Sequence, residues 1–178
     1  MTDITSVSIR APKDWQAFER HSRLLFEYSL GDPATQNNGR QGQRQHGVDV
    51  FGRRGGGDGQ LVGIQCKGKD SDYGGVVTEA ELKREVKRTE KFKPPLKEFI
   101  LITTAPNDAE IQEKARLLEQ EVRDAGRKIS ISVWGWERVQ QEINRFGEVL
   151  KRTHVGLGWG HDLLLTRSIH ESAVVFDD

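Results

Sequence analysis

Asp49, Gln65 and Lys67 are the residues of this chain whose types and spacing could do chemistry together. A carboxylate and an amide oxygen are hard donors that suit a divalent cation such as magnesium. An ammonium beside them can offset negative charge that develops on a reacting phosphate. Asp49 lies in Gly47-Val48-Asp49-Val50-Phe51-Gly52, and the other two lie in Gln60-Leu61-Val62-Gly63-Ile64-Gln65-Cys66-Lys67. Both runs read as short strands of alternating apolar residues, and the Gly-rich stretch from Arg53 to Gly59 reads as the hairpin turn between them. Alternation puts Asp49 between Val48 and Val50, and it aims Gln65 and Lys67 the same way. Cys66 then faces the other side as a small core residue. A carboxylate, an amide and an ammonium thus meet at the open end of one hairpin, a grouping that suits metal-assisted phosphodiester chemistry.

The elements around the hairpin follow from local signals. Asp14 predicts a helix N-cap after Pro12 and Lys13, and the helix runs to about Leu30, stopped by Gly31-Asp32-Pro33. Trp15, Phe18, Ser22, Leu25 and Phe26 share one side of it. Glu19 borders that stripe, whereas Glu27 points nearly opposite. The polar stretch from Asp32 to His46 predicts a loop at the mouth of the site. Gly55-Gly56-Gly57-Asp58-Gly59 fits no phosphate-loop pattern and opens no helix, so a hairpin tip is the reading. A turn follows over Gly68 to Gly75. Thr78 with Glu81 predicts a capping box for a helix reaching about Phe92, ended by Pro94-Pro95. Phe99 to Thr104 reads as a strand buried on both faces. Asn107 and Asp108 open a helix to about Asp124, closed by Gly126. Ile129 to Trp134 alternates as a strand, and Trp136 to Phe146 returns to helical spacing. This order predicts an α/β domain whose last strands run parallel.

The chain has 178 residues, with 35% hydrophobic and 30% charged positions, which suits one domain with a sizeable core. No run is apolar enough to span a bilayer, and the N-terminus lacks a signal peptide's apolar stretch, so the expected location is cytoplasmic. A single cysteine allows no internal disulfide and fits a reducing compartment. Lys+Arg and Asp+Glu balance at 27 each, so whole-chain charge announces no nucleic-acid partner. Local charge is more telling. Arg40, Arg44, Arg53, Arg54, Lys67 and Lys69 outnumber Asp49 and Asp58 around the hairpin. Lys83, Arg84, Lys87, Arg88, Lys91 and Lys93 follow closely. A basic region of this kind could take a phosphate backbone. The second cluster reads equally as a solvated helix face paired with Glu79, Glu81, Glu85 and Glu90.

Asp followed by a hairpin and Gln-x-Lys resembles the signature of the PD-(D/E)xK nuclease superfamily in its Gln-x-Lys form. Gly42-Gln43-Arg44-Gln45-His46-Gly47-Val48-Asp49 with Gln65-Cys66-Lys67 is similar to Mrr-like restriction endonuclease domains and to nuclease effector domains of bacterial anti-phage systems. The resemblance covers roughly residues 13 to 145. It implies a restriction-endonuclease-like α/β core, a mixed central sheet flanked by helices, over residues 1–146, with 147–178 as an extension, interface or linker that carries His154, Trp159, His161 and His170. It implies a Mg²⁺-dependent deoxyribonuclease in which Mn²⁺ can substitute. Asp49, the Gln65 side-chain oxygen and the Cys66 carbonyl would hold the ion, with Glu19 compensating for the charge that Gln65 lacks. Lys67 would orient the attacking water. Gln43, Arg44, His46 and Lys69 are the expected DNA contacts. Expected partners are double-stranded DNA, a second copy of the chain or a higher oligomer, and a sensor or activator. The competing reading is a nucleic-acid-binding module that keeps the fold without catalysis. On the nuclease reading Asp49 and Lys67 are expected to stand outside the core.

Overall fold

The computed structural model describes residues 8–12, 14–40, 42–69 and 75–153. Helix α1 spans Trp15–Leu30, and the Asp14 carboxylate caps it by accepting from the Gln16 and Ala17 amides. Gly31, at φ 65°, ends it in the left-handed conformation that glycine adopts without strain. Phe18, Ser22, Leu25 and Phe26 are buried along one stripe, as their spacing requires. The side chain of Trp15 lies outside the described residues. The Asp32 carboxylate then accepts from the Arg53 amide at 2.6 Å and the Ala34 amide at 3.0 Å, tying the end of α1 to the hairpin.

The stretch expected to be a plain loop holds a two-residue edge strand, β1 (Gln36–Asn37), paired antiparallel with β2 (Val50–Arg53). β2 pairs antiparallel with β3 (Leu61–Lys67), with Val50 opposite Ile64. Helix α2 (Glu79–Arg88) opens on the Thr78–Glu81 capping box and tightens into one 3₁₀ turn over Thr89–Lys91, short of the expected Phe92. β4 (Glu98–Thr103) lies parallel to β3, and β5 (Ser130–Trp134) parallel to β4. Between them runs α3 (Ala109–Asp124), capped by Asp108. The sheet order is β1-β2-β3-β4-β5, so the fold is a mixed α/β sheet flanked by helices.

Two cores divide along the sheet. Val62, Ile64 and Cys66 of β3 pack with Phe18, Leu25 and Phe26 of α1 and with α4 (Trp136–Arg145). Leu61 of β3 and Phe99 and Leu101 of β4 pack on the other face with Leu82 and Val86 of α2 and with α3. Each such fully buried aliphatic or aromatic side chain contributes about 1.5–3 kcal/mol. Helix α5 (Gly147–Thr153) places Val149 and Leu150 in the first core. The core therefore continues beyond residue 146, where a tail was expected to begin. Residues 154–178, with His154, Trp159, His161 and His170, lie outside the described residues, as do 1–7 and the middle of the Gly68–Gly75 turn. Ile9 is pinned to α4 by two hydrogen bonds, to Gln140 at 2.8 Å and from the Trp136 indole at 2.7 Å.

Candidate metal and phosphate site

Asp49 sits one residue ahead of β2, where its amide still donates to the Ile64 carbonyl at 2.8 Å. That bond places its side chain beside Gln65 on the α2 face of β3. Asp49 Oδ2 accepts from the Cys66 amide at 2.8 Å and from Gln65 Nε2, and Gln65 Nε2 also donates to the Cys66 carbonyl at 3.3 Å. Asp49 is only 6% exposed and Gln65 likewise, so the expectation that Asp49 stands outside the core is corrected. The strand turns it inward, and its oxygen serves a backbone amide that would otherwise be buried without a partner. Burial pushes the Asp49 carboxyl up to about 7, against the pull of the Cys66 amide. Glu19 and Glu85 raise it further, and Lys67 lowers it. Burial likewise raises the Cys66 thiol, which makes it an inert core group.

Asp49 and Gln65 are thus in contact with Lys67 next on the same face of β3, and Glu19 acts on Asp49 through its charge from α1. Glu19 is half-buried on α1, and its charge reaches both Asp49 and Cys66. Glu27 instead pairs with Arg23 at 2.9 Å, away from the site. Lys67, 22% exposed, bonds Glu85 Oε1 at 2.9 Å. Glu85 is completely buried, which overturns its reading as an exposed partner of a solvated helix face. Nothing in its spacing distinguishes it from Glu79 or Glu81, because its burial comes from tertiary contact. Gly47, at φ 73°, lets the loop press on it: a Cβ there would stand 2.9 Å from the Glu85 carbonyl and 3.0 Å from Arg88 Cβ.

A cleft of about 620 Å³ opens over Asp49 and Gln65. One wall is the loop with Gln43, Arg44, Gln45 and His46, and the other is α2 and its 3₁₀ turn, with Arg84, Lys87, Arg88 and Lys91. These four cations recur at i, i+3, i+4 and i+7, so they form one helix face, a signal legible in the sequence. Lys83 belongs to a different face and pairs with Glu79 at 2.9 Å. Of the expected DNA contacts, Gln43, Arg44 and His46 line the cleft, and Gln43 also accepts from the Arg40 amide at 2.9 Å. Lys69 does not line it and is held by Glu81 at 2.7 Å. Arg54 is likewise occupied elsewhere, by Glu98 at 2.7 Å.

No protein-family model matches this chain, and no curated protein matches it. Among the described residues no three His, Cys, Asp or Glu side chains are grouped to hold a metal ion. The available set is mixed instead. The Gln65 NH₂ group lies between Asp49 Oδ2 and the Cys66 carbonyl, as a small cation would. Half a turn of the amide exchanges its nitrogen for its oxygen and leaves three oxygens facing one another. A cation can hold such a cluster, as a proton on Asp49 can, and magnesium accepts one or two carboxylates, carbonyl oxygens and several waters. The residues present fit that ion.

Proposed function

We propose that this chain is a magnesium-dependent endonuclease that hydrolyses the phosphodiester backbone of duplex DNA. The observation that carries the reading is the meeting of Asp49, Gln65 and the Cys66 carbonyl where Asp49 and Gln65 line a cationic cleft, with Lys67 two residues along β3 from Gln65 and held by Glu85 behind the lining. Asp49 and the two neutral oxygens would hold the ion, with Glu19 direct or through water. The bound ion supplies Lewis-acid stabilisation of the phosphate and an acidified water. Lys67 orients the attacking water and offsets charge that grows on the phosphate oxygens. Arg44 and the α2 face of Arg84, Lys87, Arg88 and Lys91 carry the backbone, and manganese would replace magnesium. Cutting both strands takes two such sites, which a second copy of the chain would provide.

One observation favours the second reading, a binding module without catalysis. The Lys67 ammonium is engaged by a buried carboxylate, as a purely structural lysine would be. Incubation with supercoiled plasmid in Mg²⁺ or in chelator separates the two. The nuclease reading expects nicked and linear products in Mg²⁺ only, and a rate at least about 100-fold lower for Lys67→Ala. DNA that is retarded on a gel yet intact in both Mg²⁺ and Mn²⁺ would leave the binding module.

A further inference from the structure

We infer that Glu85 is a positioning residue, whose buried carboxylate fixes the Lys67 ammonium at the reacting phosphate. This rests on the nuclease reading above. Glu85 has essentially no exposed surface, although it lies on the helix that also carries the cationic wall. Its Oε1 is 2.9 Å from Lys67 Nζ, while Arg88 Nη1 lies 3.2 Å from Oε1 and 3.1 Å from Oε2. Arg84 Nε stands further off at 3.6 Å. The two arginines are about half exposed, so they can turn to an incoming phosphate while Lys67 stays in place.

Stability alone gives little reason for this arrangement. A buried ion pair is often no more stabilising than a packed apolar side chain of the same volume. Positioning gives one. A lysine side chain has four rotatable bonds and high rotamer entropy, and a free ammonium would sample many positions over the site. Held from α2 by Glu85, it is ordered before substrate arrives, and the cost of ordering it leaves the reaction barrier. Gly47 supports the same geometry from the other side. Its missing Cβ lets the strand entry that carries Asp49 lie directly on the turn of α2 that carries Glu85. One helix turn thereby sets the distance between the metal-holding carboxylate and the lysine.

The test uses the full chain with Glu85→Gln and Glu85→Met. The first keeps a neutral acceptor for Lys67, and the second keeps volume and releases the ammonium. Plasmid cleavage is measured as kcat, duplex binding by fluorescence anisotropy in chelator, and folding by thermal melting. The expected result is a graded fall in kcat, about 10-fold for Gln and about 100-fold for Met, by analogy with the loss of one preorganised transition-state donor. Duplex affinity stays level or rises, because a negative charge has left the helix that carries the cationic wall. Should Glu85→Met fail to fold, Glu85→Gln alone decides. A kcat within twofold of the parent in the folded variants overturns the role of Glu85. So does an equal loss of kcat and duplex affinity, which is what a merely structural carboxylate would give. If the parent itself does not cut, the nuclease reading falls first and this role falls with it; a parent that cuts beside an unimpaired Glu85→Gln removes Glu85 alone.

Discussion

On the α1 side of β3, Val62, Ile64 and Cys66 are sealed among aromatic and aliphatic side chains, whereas on the α2 side Gln65 meets Asp49 and Lys67 meets Glu85. Both sides are buried over most of the strand, so exposure does not separate them. Chemistry does. The α1 side holds the strand rigid by packing, and the α2 side uses that rigidity to keep polar groups converged against their own desolvation cost. The same seven-residue strand thus supplies both scaffold and site.

Substitutions on the two sides should therefore fail in different ways. The largest expected effect on folding comes from the scaffold side. Phe26→Ala empties a position with no exposed surface and should cost roughly 3–5 kcal/mol in denaturant unfolding. Activity per folded molecule should change little. A loss of activity without a loss of stability would break the comparison.

Asp49→Asn should act in the opposite direction. The folded carboxyl sits near 7 against an ordinary 3.8, because burial disfavours its charge. The folded protein therefore binds a proton that the unfolded chain releases, and stability falls as pH rises from about 4 to 7. An asparagine still accepts the Cys66 amide and carries no charge to bury. In chelator it should raise the melting temperature at pH 8 and change it little at pH 4. Its stability gain at pH 8 is at most about 4 kcal/mol, at 1.36 kcal/mol per pKa unit. Cleavage should be lost at every pH. Equal melting temperatures at pH 8 would show that the carboxylate is not desolvated as its 6% exposure implies.

The smallest change expected is for Gln65→Glu. A second carboxylate beside Asp49 restores the charge that the amide lacks, so cleavage should persist and the Mg²⁺ midpoint should fall about 10-fold. In chelator the two like charges should lower the melting temperature, and Mg²⁺ should recover it. A weaker Mg²⁺ requirement without that recovery would place the ion elsewhere.

Much of this arrangement is legible in the amino-acid sequence because its signals are local. Asp14, Gly31, the Thr78–Glu81 box and Asp108 mark helix ends by chemistry confined to one turn. The alternation across Leu61 to Lys67 decides which side chains share a face. Glu85 is not legible, since its burial depends on α2 lying against β3 and on Gly47 making room. The edge strand Gln36–Asn37 escapes a sequence reading because its pairing comes from β2 and not from its own polar residues. Val149 and Leu150 look like an ordinary apolar pair in a tail until α1 and α4 are seen to leave a space for them.

The central claim is one divalent ion held by Asp49, Gln65 and the Cys66 carbonyl. Manganese soaked into crystals of the parent and of Asp49→Asn, and located by anomalous scattering, tests this directly. The expected result is one ion within about 2.0–2.4 Å of the Asp49 carboxylate in the parent and none in the variant. A parent crystal soaked in millimolar manganese with no anomalous peak at Asp49 would contradict it.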